Sequence, residues 1–208
     1  MNRRKMLIAT AASALVAPAA TGLHAGAARA QAQTIFPDDR ILGPADAPIT
    51  IIEYASLTCS HCATLHREAL PEIKETWIAE GTARLVFRHF PLDALALRAA
   101  AVTNCIEGER FFGFLDLLFK SQKRWAKSNP PLKVLGQMAR LAGMSQEKFD
   151  ACVNDEAQMD RILERRQDGM RTYDVKSTPT LIINGRKVEG TRDFDYYEKI
   201  FKEIVPES

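Results

Sequence analysis

Ile49-Thr50-Ile51-Ile52-Glu53-Tyr54 is a β-branched run of the length a buried strand takes. It follows a short polar lead-in from Gln31 to Arg40 and a turn-rich approach from Ile41 to Pro48, where two prolines mark a boundary. Apolar positions then recur at helical spacing from Ala63 to Trp77, and Pro71 inside that stretch predicts a kink. Gly81 stops the helix, and Ala83 to Arg88 forms a second strand. Strand, helix and strand within so short a span predict a βαβ unit with parallel strands.

From Asp93 to Asp174 the spacing is helical throughout, with no β-branched run. The pattern predicts helices over Asp93–Ile106, Arg110–Trp125, Pro131–Ala142, Ser145–Val153 and Asp155–Tyr173, with Asn129-Pro130, Gly143 and Asn154 at the breaks. Phe111, Phe112, Phe114, Leu115, Leu118 and Phe119 make one apolar stripe that reads as core. Such a block cannot continue a sheet, so residues 91–174 are expected as a helical insertion. Strand character returns at Thr180 to Ile183, Asn184-Gly185 signals a two-residue hairpin, and Arg186 to Glu189 is the returning strand. Asp193 to Val205 closes as an amphipathic helix. The class expected is α/β, with residues 31–90 and 175–208 forming one domain around the insertion.

Residues 1–30 stand apart from this pattern. Asn2-Arg3-Arg4-Lys5 is a basic start, Met6 to Ala20 is uncharged and alanine-rich, and Ala28-Arg29-Ala30 fits a cleavage site before Gln31. The apolar stretch is short for a membrane span and is interrupted by Thr, Ser and Pro, so export is expected rather than anchoring. Arg3-Arg4 matches a twin-arginine pattern only loosely, which favours the general secretory route. Removal of the segment takes four cations and no acid, so the formal charge moves from +2 to about −2. No basic run remains to suggest nucleic acid or an anionic membrane surface.

Export leads to an oxidising compartment, where disulfides persist. Cys59, Cys62, Cys105 and Cys152 allow three pairings; close spacing commits the first two to each other and leaves the last two for each other. Two separate buried thiols are the plainer reading of Cys105 and Cys152. Cys59-Ser60-His61-Cys62 ends the first strand and opens a helix, which puts Cys59 where unpaired N–H groups and the helix dipole favour a thiolate. A protonated His61 would add a cation beside it. A dithiol so placed is a redox centre more often than a structural bridge.

The strand ending in C-x-x-C, the helical block, and Ser177-Thr178-Pro179-Thr180 before a hairpin and helix together resemble the thioredoxin fold. With helices between its halves, the chain resembles the DsbA-type thiol:disulfide oxidoreductases over roughly residues 40–205. The resemblance implies that Cys59 is the exposed nucleophile and Cys62 the buried resolving cysteine. It implies that Thr178-Pro179 is a cis-proline loop facing the dithiol, offering backbone groups to an extended peptide. Glu53 then matches a buried acid that takes the Cys62 proton; read from the strand alone, its carboxylate points equally well to solvent. Cys105 and Cys152 match a second, structural bridge. Ser60 departs from the proline many members carry there, which bears on the redox potential. His66 and His89 read as a helix-surface and a strand-end residue.

The function expected is a periplasmic oxidase that passes the Cys59–Cys62 disulfide to newly exported proteins. The resemblance implies reoxidation by a DsbB-like membrane quinone reductase; no cofactor is expected, and the short stretch between the expected cleavage and the domain argues for a monomer. An isomerase or reductase of the same fold is the alternative. A metal module built on Cys59, Cys62 and His61 or His66 lacks the second ligand pair that structural zinc takes. Haem attachment needs His directly after the second cysteine, where Ala63 stands. An interaction protein with an idle dithiol is the remaining reading.

Overall fold

In a computed structural model the described residues are 33–108 and 110–206; the leader expected over 1–30 lies outside them. The strand expected first, β2 (Ile49–Ala55), sits at the centre of a five-stranded sheet ordered β1-β3-β2-β4-β5. Its neighbours are β1 (Arg40–Leu42), β3 (Ala83–His89), β4 (Thr180–Ile183) and β5 (Arg186–Glu189). β2 and β3 run parallel, from Ile49↔Ala83 to Ala55↔His89, and β4 lies antiparallel on the other side of β2 with Glu53 opposite Leu181. Asn184 and Gly185 both take positive φ, the two-residue turn whose twist suits a hairpin. β1 corrects the expectation of a loop before Pro48: Arg40, Ile41 and Leu42 pair antiparallel with Phe87, Val86 and Leu85. Three residues on a sheet edge carry too little alternation to be read from sequence.

Every residue of β2 is buried, so both faces of the sheet are covered. Side chains alternate across a strand. Ile49, Ile51 and Ala55 join the main core, while Ile52 and Tyr54 join a second cluster with Val86, Phe90, Val175 and Ile182. Glu53 shares the parity of the first group and is carried to its side of the sheet.

That side is covered by α1 (Ser60–Arg67), α2 (Ala69–Ile73) and a π-helical turn at Lys74–Ile78. The single helix expected over Ala63–Trp77 starts earlier and breaks at Glu68. Pro71 lacks the N–H that would meet the Arg67 carbonyl, and its ring crowds that carbonyl, so the break falls just there.

Between β3 and β4 come α3 (Ala94–Asn104), α4 (Arg110–Lys120), α5 (Gln122–Ala126), α6 (Pro131–Leu141), α7 (Gln146–Val153) and α8 (Glu156–Tyr173). All six stripe residues of α4 are buried. The helix expected over Arg110–Trp125 is divided at Ser121, which lets α5 turn toward the start of α1. Asp93, Ser145 and Asp155 cap α3, α7 and α8 by accepting from backbone N–H groups, as short polar side chains do at helix starts. Cys105, just past α3, is bonded to Cys152 in α7. The far face of the sheet receives α8, where Gly169 packs on the Tyr54 ring. The C-terminal α9 (Phe194–Ile204) is capped by Asp193. Among the described residues, no helix is long and apolar enough to cross a membrane.

Candidate active site

The site forms where β2 ends. Ser56 and Thr58 make a short turn, Cys59 N–H donates to the Ser56 carbonyl, and Cys59 becomes the N-cap of α1. Its sulfur closes no full capping hydrogen bond, yet the N–H groups of His61 and Cys62 are near enough to favour an anion. Cys59 is partly exposed and Cys62 is fully buried; both are free thiols. Helical spacing explains the contrast. Cys62, Leu65, His66, Ala69, Leu70 and Ile73 recur at i, i+3 and i+4, and all face the core.

The two sulfurs are pushed in opposite directions. The thiol of Cys62 donates to Cys59 and outweighs the cost of burial there; with the helix N–H groups it holds Cys59 down at about 5. Burial pushes Cys62 well above the usual thiol range, and the neighbouring Cys59 and Glu53 charges add to it.

Thr178-Pro179 meets this pair from the start of β4. The bond is cis, and the Cys59 thiol donates to the Thr178 carbonyl at 3.3 Å. Cys59, Cys62, Thr178 and Pro179 are thus brought together. Ser60 and His61 sit on the exposed first turn of α1, where the His61 carbonyl accepts from the Thr191 hydroxyl at 2.9 Å.

Glu53 lies beneath, 0% exposed, and the solvent-facing alternative is excluded because both faces of the sheet are covered. His66 is a correction: it is not on the helix surface but buried, its Nε2 3.0 Å from Glu53 Oε1 and its Nδ1 3.2 Å from Asp116 Oδ1. The reason is its place on the apolar stripe of α1, four residues after Cys62. His89 ends β3 as expected and is buried; burial drives its pKa to about 3, which keeps the ring neutral.

Sequence reasoning missed Gln122. Its side-chain amide donates to the carbonyls of Leu57 at 2.9 Å and Cys59 at 2.8 Å, tying α5 to the turn that presents the dithiol. Thr58 is tied to the helical segment as well, donating to Asp93 at 2.6 Å. The signal for Gln122 was present: it falls on the stripe of Leu118, Phe119 and Trp125, where a polar residue needs a buried partner.

A central sheet with a C-x-x-C helix on one face and a cis X-Pro loop against the first sulfur defines a thioredoxin-fold dithiol protein. The family model described as thioredoxin matches residues 36–203, and the chain belongs to that family. Within it, the chain falls among the DsbA-type proteins and carries a second disulfide. The crystal structure of Wolbachia pipientis alpha-DsbA1 is 33% identical, covers 82% of this chain and 92% of its own, and gives a TM-score of 0.77. Chlamydia trachomatis DsbA, 18% identical with a TM-score of 0.73, covers 82% and 93% and shares the fold. A Rickettsia bellii relative described as a protein-disulfide oxidoreductase is 29% identical over 74% of this chain and 60% of its own length. The chain therefore spans somewhat over half the length of that curated relative.

Proposed function

We propose that this protein is a thiol:disulfide oxidoreductase that works in the periplasm and donates the Cys59–Cys62 disulfide to newly exported proteins. A substrate thiolate attacks Cys59 Sγ; the Cys59–Cys62 bond breaks, and Cys62 leaves with the electron pair and takes up a proton. A second substrate thiolate then attacks the substrate sulfur of the mixed disulfide and expels Cys59 as a thiolate. The substrate is oxidised by two electrons and the enzyme reduced by two. The observation that carries this reading is the Cys59 sulfur, held down at about 5 at the N-terminus of α1 and set against the Thr178 backbone. A sulfur that rests as an anion is a good leaving group, and stabilising the reduced dithiol makes the disulfide oxidising.

The other residues take supporting roles in this reading. Thr178 and Pro179 present backbone groups to an extended peptide; Glu53 exchanges the Cys62 proton; His61 favours the Cys59 thiolate through its backbone N–H, and Ser60 tunes the potential. Cys105–Cys152 braces the helical insertion, 91–174, between the two parts of the thioredoxin-like domain, 31–90 and 175–208. Residues 1–30 direct export through the general secretory route and are removed. A DsbB-like membrane quinone reductase restores the disulfide, and the protein acts as a monomer.

The test is oxidation of a reduced two-cysteine peptide by the disulfide form, with the dithiol potential read against glutathione. Stoichiometric oxidation that is lost in Cys59→Ser, with a potential well above thioredoxin's, is the expected result. A thioredoxin-like potential with scrambled-disulfide repair and no net oxidation would replace it with an isomerase.

A further inference from the structure

Four ionisable side chains from four elements form a continuous chain below the dithiol, buried at its inner end. Glu53 comes from β2, His66 from α1, Lys74 from the π-helical turn and Asp116 from α4. His66 bridges Glu53 Oε1 at 3.0 Å and Asp116 Oδ1 at 3.2 Å, and Lys74 Nζ clamps both Asp116 oxygens at 2.8 and 2.7 Å. The inner end is sealed, with the Glu53 and His66 side chains 0% exposed; the outer end is not, with Lys74 at 16% and Asp116 at 27%. At the sealed end, Glu53 Oε2 is buried without a hydrogen-bond partner.

Each of these groups could serve packing alone, but together they are costly. A buried carboxylate with a free oxygen and a buried imidazole both forfeit solvation. The ring of His66 is walled by apolar groups, Phe119 stacked on it at 4.0 Å and Phe87 edge-on at 6.2 Å. The titratable and charged groups that face it are therefore Glu53, Asp116 and Lys74, with Cys62 one turn away on its own helix. Cys62 and Tyr197 both respond to the Glu53 charge, which places that carboxylate in their field.

We propose that His66 is a positioning residue for the Cys62 thiol: it orients Glu53 toward that chemistry and, through Asp116 and Lys74, connects the proton Cys62 exchanges with solvent. The inference rests on the exchange reading above and adds the route. In the step where Cys62 resolves a mixed disulfide, its proton passes to Glu53 Oε2, directly or across one water. The Cys62 thiolate attacks Cys59 Sγ, the Cys59–Cys62 bond forms, and the partner sulfur leaves with the electron pair of the broken bond. His66 accepts at one ring nitrogen and donates at the other, so charge gained at Glu53 is relayed to the Asp116 carboxylate. When a substrate thiolate breaks the Cys59–Cys62 disulfide, the same route supplies a proton to the departing Cys62.

The arrangement suits that task electrostatically. Burial works against charge on His66, but Glu53 and Asp116 outweigh it and raise its pKa above the ordinary imidazole value. Burial also opposes charge on Asp116, while His66 and Lys74 hold its carboxyl below the usual range. The ring is thus made a better proton acceptor beside the acid whose charge Cys62 feels, and the outer carboxylate is kept open to accept.

Ellman's reagent applied to the reduced protein separates the two sulfurs. Its first thionitrobenzoate release reports attack by Cys59, and its second reports resolution by Cys62. In His66→Gln, which keeps the ring's hydrogen-bonding reach without a titrating proton, the first release and its pH midpoint are expected to be unchanged. The second is expected to slow about tenfold or more and to lose its pH-dependent limb. Asp116→Asn, at the partly exposed end, gives a smaller change in the same direction and carries the test if His66→Gln does not fold. An unaltered second release in both folded variants overturns the proposal, as does equal slowing of both releases. Failure of the exchange reading would look different: the wild-type disulfide would not oxidise a peptide dithiol, whatever the variants did to the second release.

Discussion

Cys59 and Cys62 are one helical turn apart, and the fold gives them opposite electrostatics. Cys59 is an acid whose folded pKa, about 5, lies below its ordinary value of 9.0. For an acid shifted downward, the stabilisation is fully present above the ordinary value and is lost as pH falls through the folded value. The stability gap between reduced wild type and Cys59→Ser, followed by urea unfolding, should therefore open above pH 5 and close below it. The strongest influence on Cys59 is the hydrogen bond from Cys62, so Cys62→Ala should raise the midpoint of Cys59 thiolate absorbance toward that of an ordinary thiol. The pair itself was legible from its spacing after a strand. His66 was read as a helix-surface residue and Gln122 was not read, although both stand on apolar helical stripes. A polar residue in such a position is explained only by its partners, and those come from β2, α4 and the turn before α1.

At the scale of elements, periodicity found most of the architecture. The central strand, its parallel neighbour, the hairpin and the buried stripe of α4 all lie where the pattern put them. Periodicity failed at breaks and edges. Pro71 announced a disturbance, but steric conflict with the carbonyl four residues back set the break at Glu68. The division of α4 from α5 at Ser121 has no proline or glycine to mark it. The contact of α8 with the sheet depends on Gly169, since a Cβ there would lie 2.5 Å from an atom of the fully buried Tyr54 ring. Gly169→Ala gains about 1 kcal/mol in helix propensity. Overpacking against a ring that cannot retreat costs about 1–3 kcal/mol. A net loss of stability is expected, seen as a lower melting temperature.

For the whole molecule, closure of the chain matters more than any one contact. Cys105 and Cys152 join positions 47 residues apart across the helical segment. In the chain-entropy model a loop of that length is worth about 4 kcal/mol. Replacing both with Ala should lower the stability measured by denaturant by that order. The Cys59 midpoint should stay in place, because none of the groups that shift it belongs to α3 or α7. By itself the sequence determined the central strands and most of the helices, the C-x-x-C pair at a helix start, the Thr178-Pro179 turn and the cysteines left to join each other. These depend on neighbours along the chain, on spacing, and on residue types with fixed backbone habits. Only the tertiary structure decided that Glu53 faces inward, that His66 is its partner, and that Gln122 holds the turn that carries Cys59. Burial of a polar side chain is settled by what arrives opposite it, and here those groups arrive from separate elements folded onto one face of the sheet.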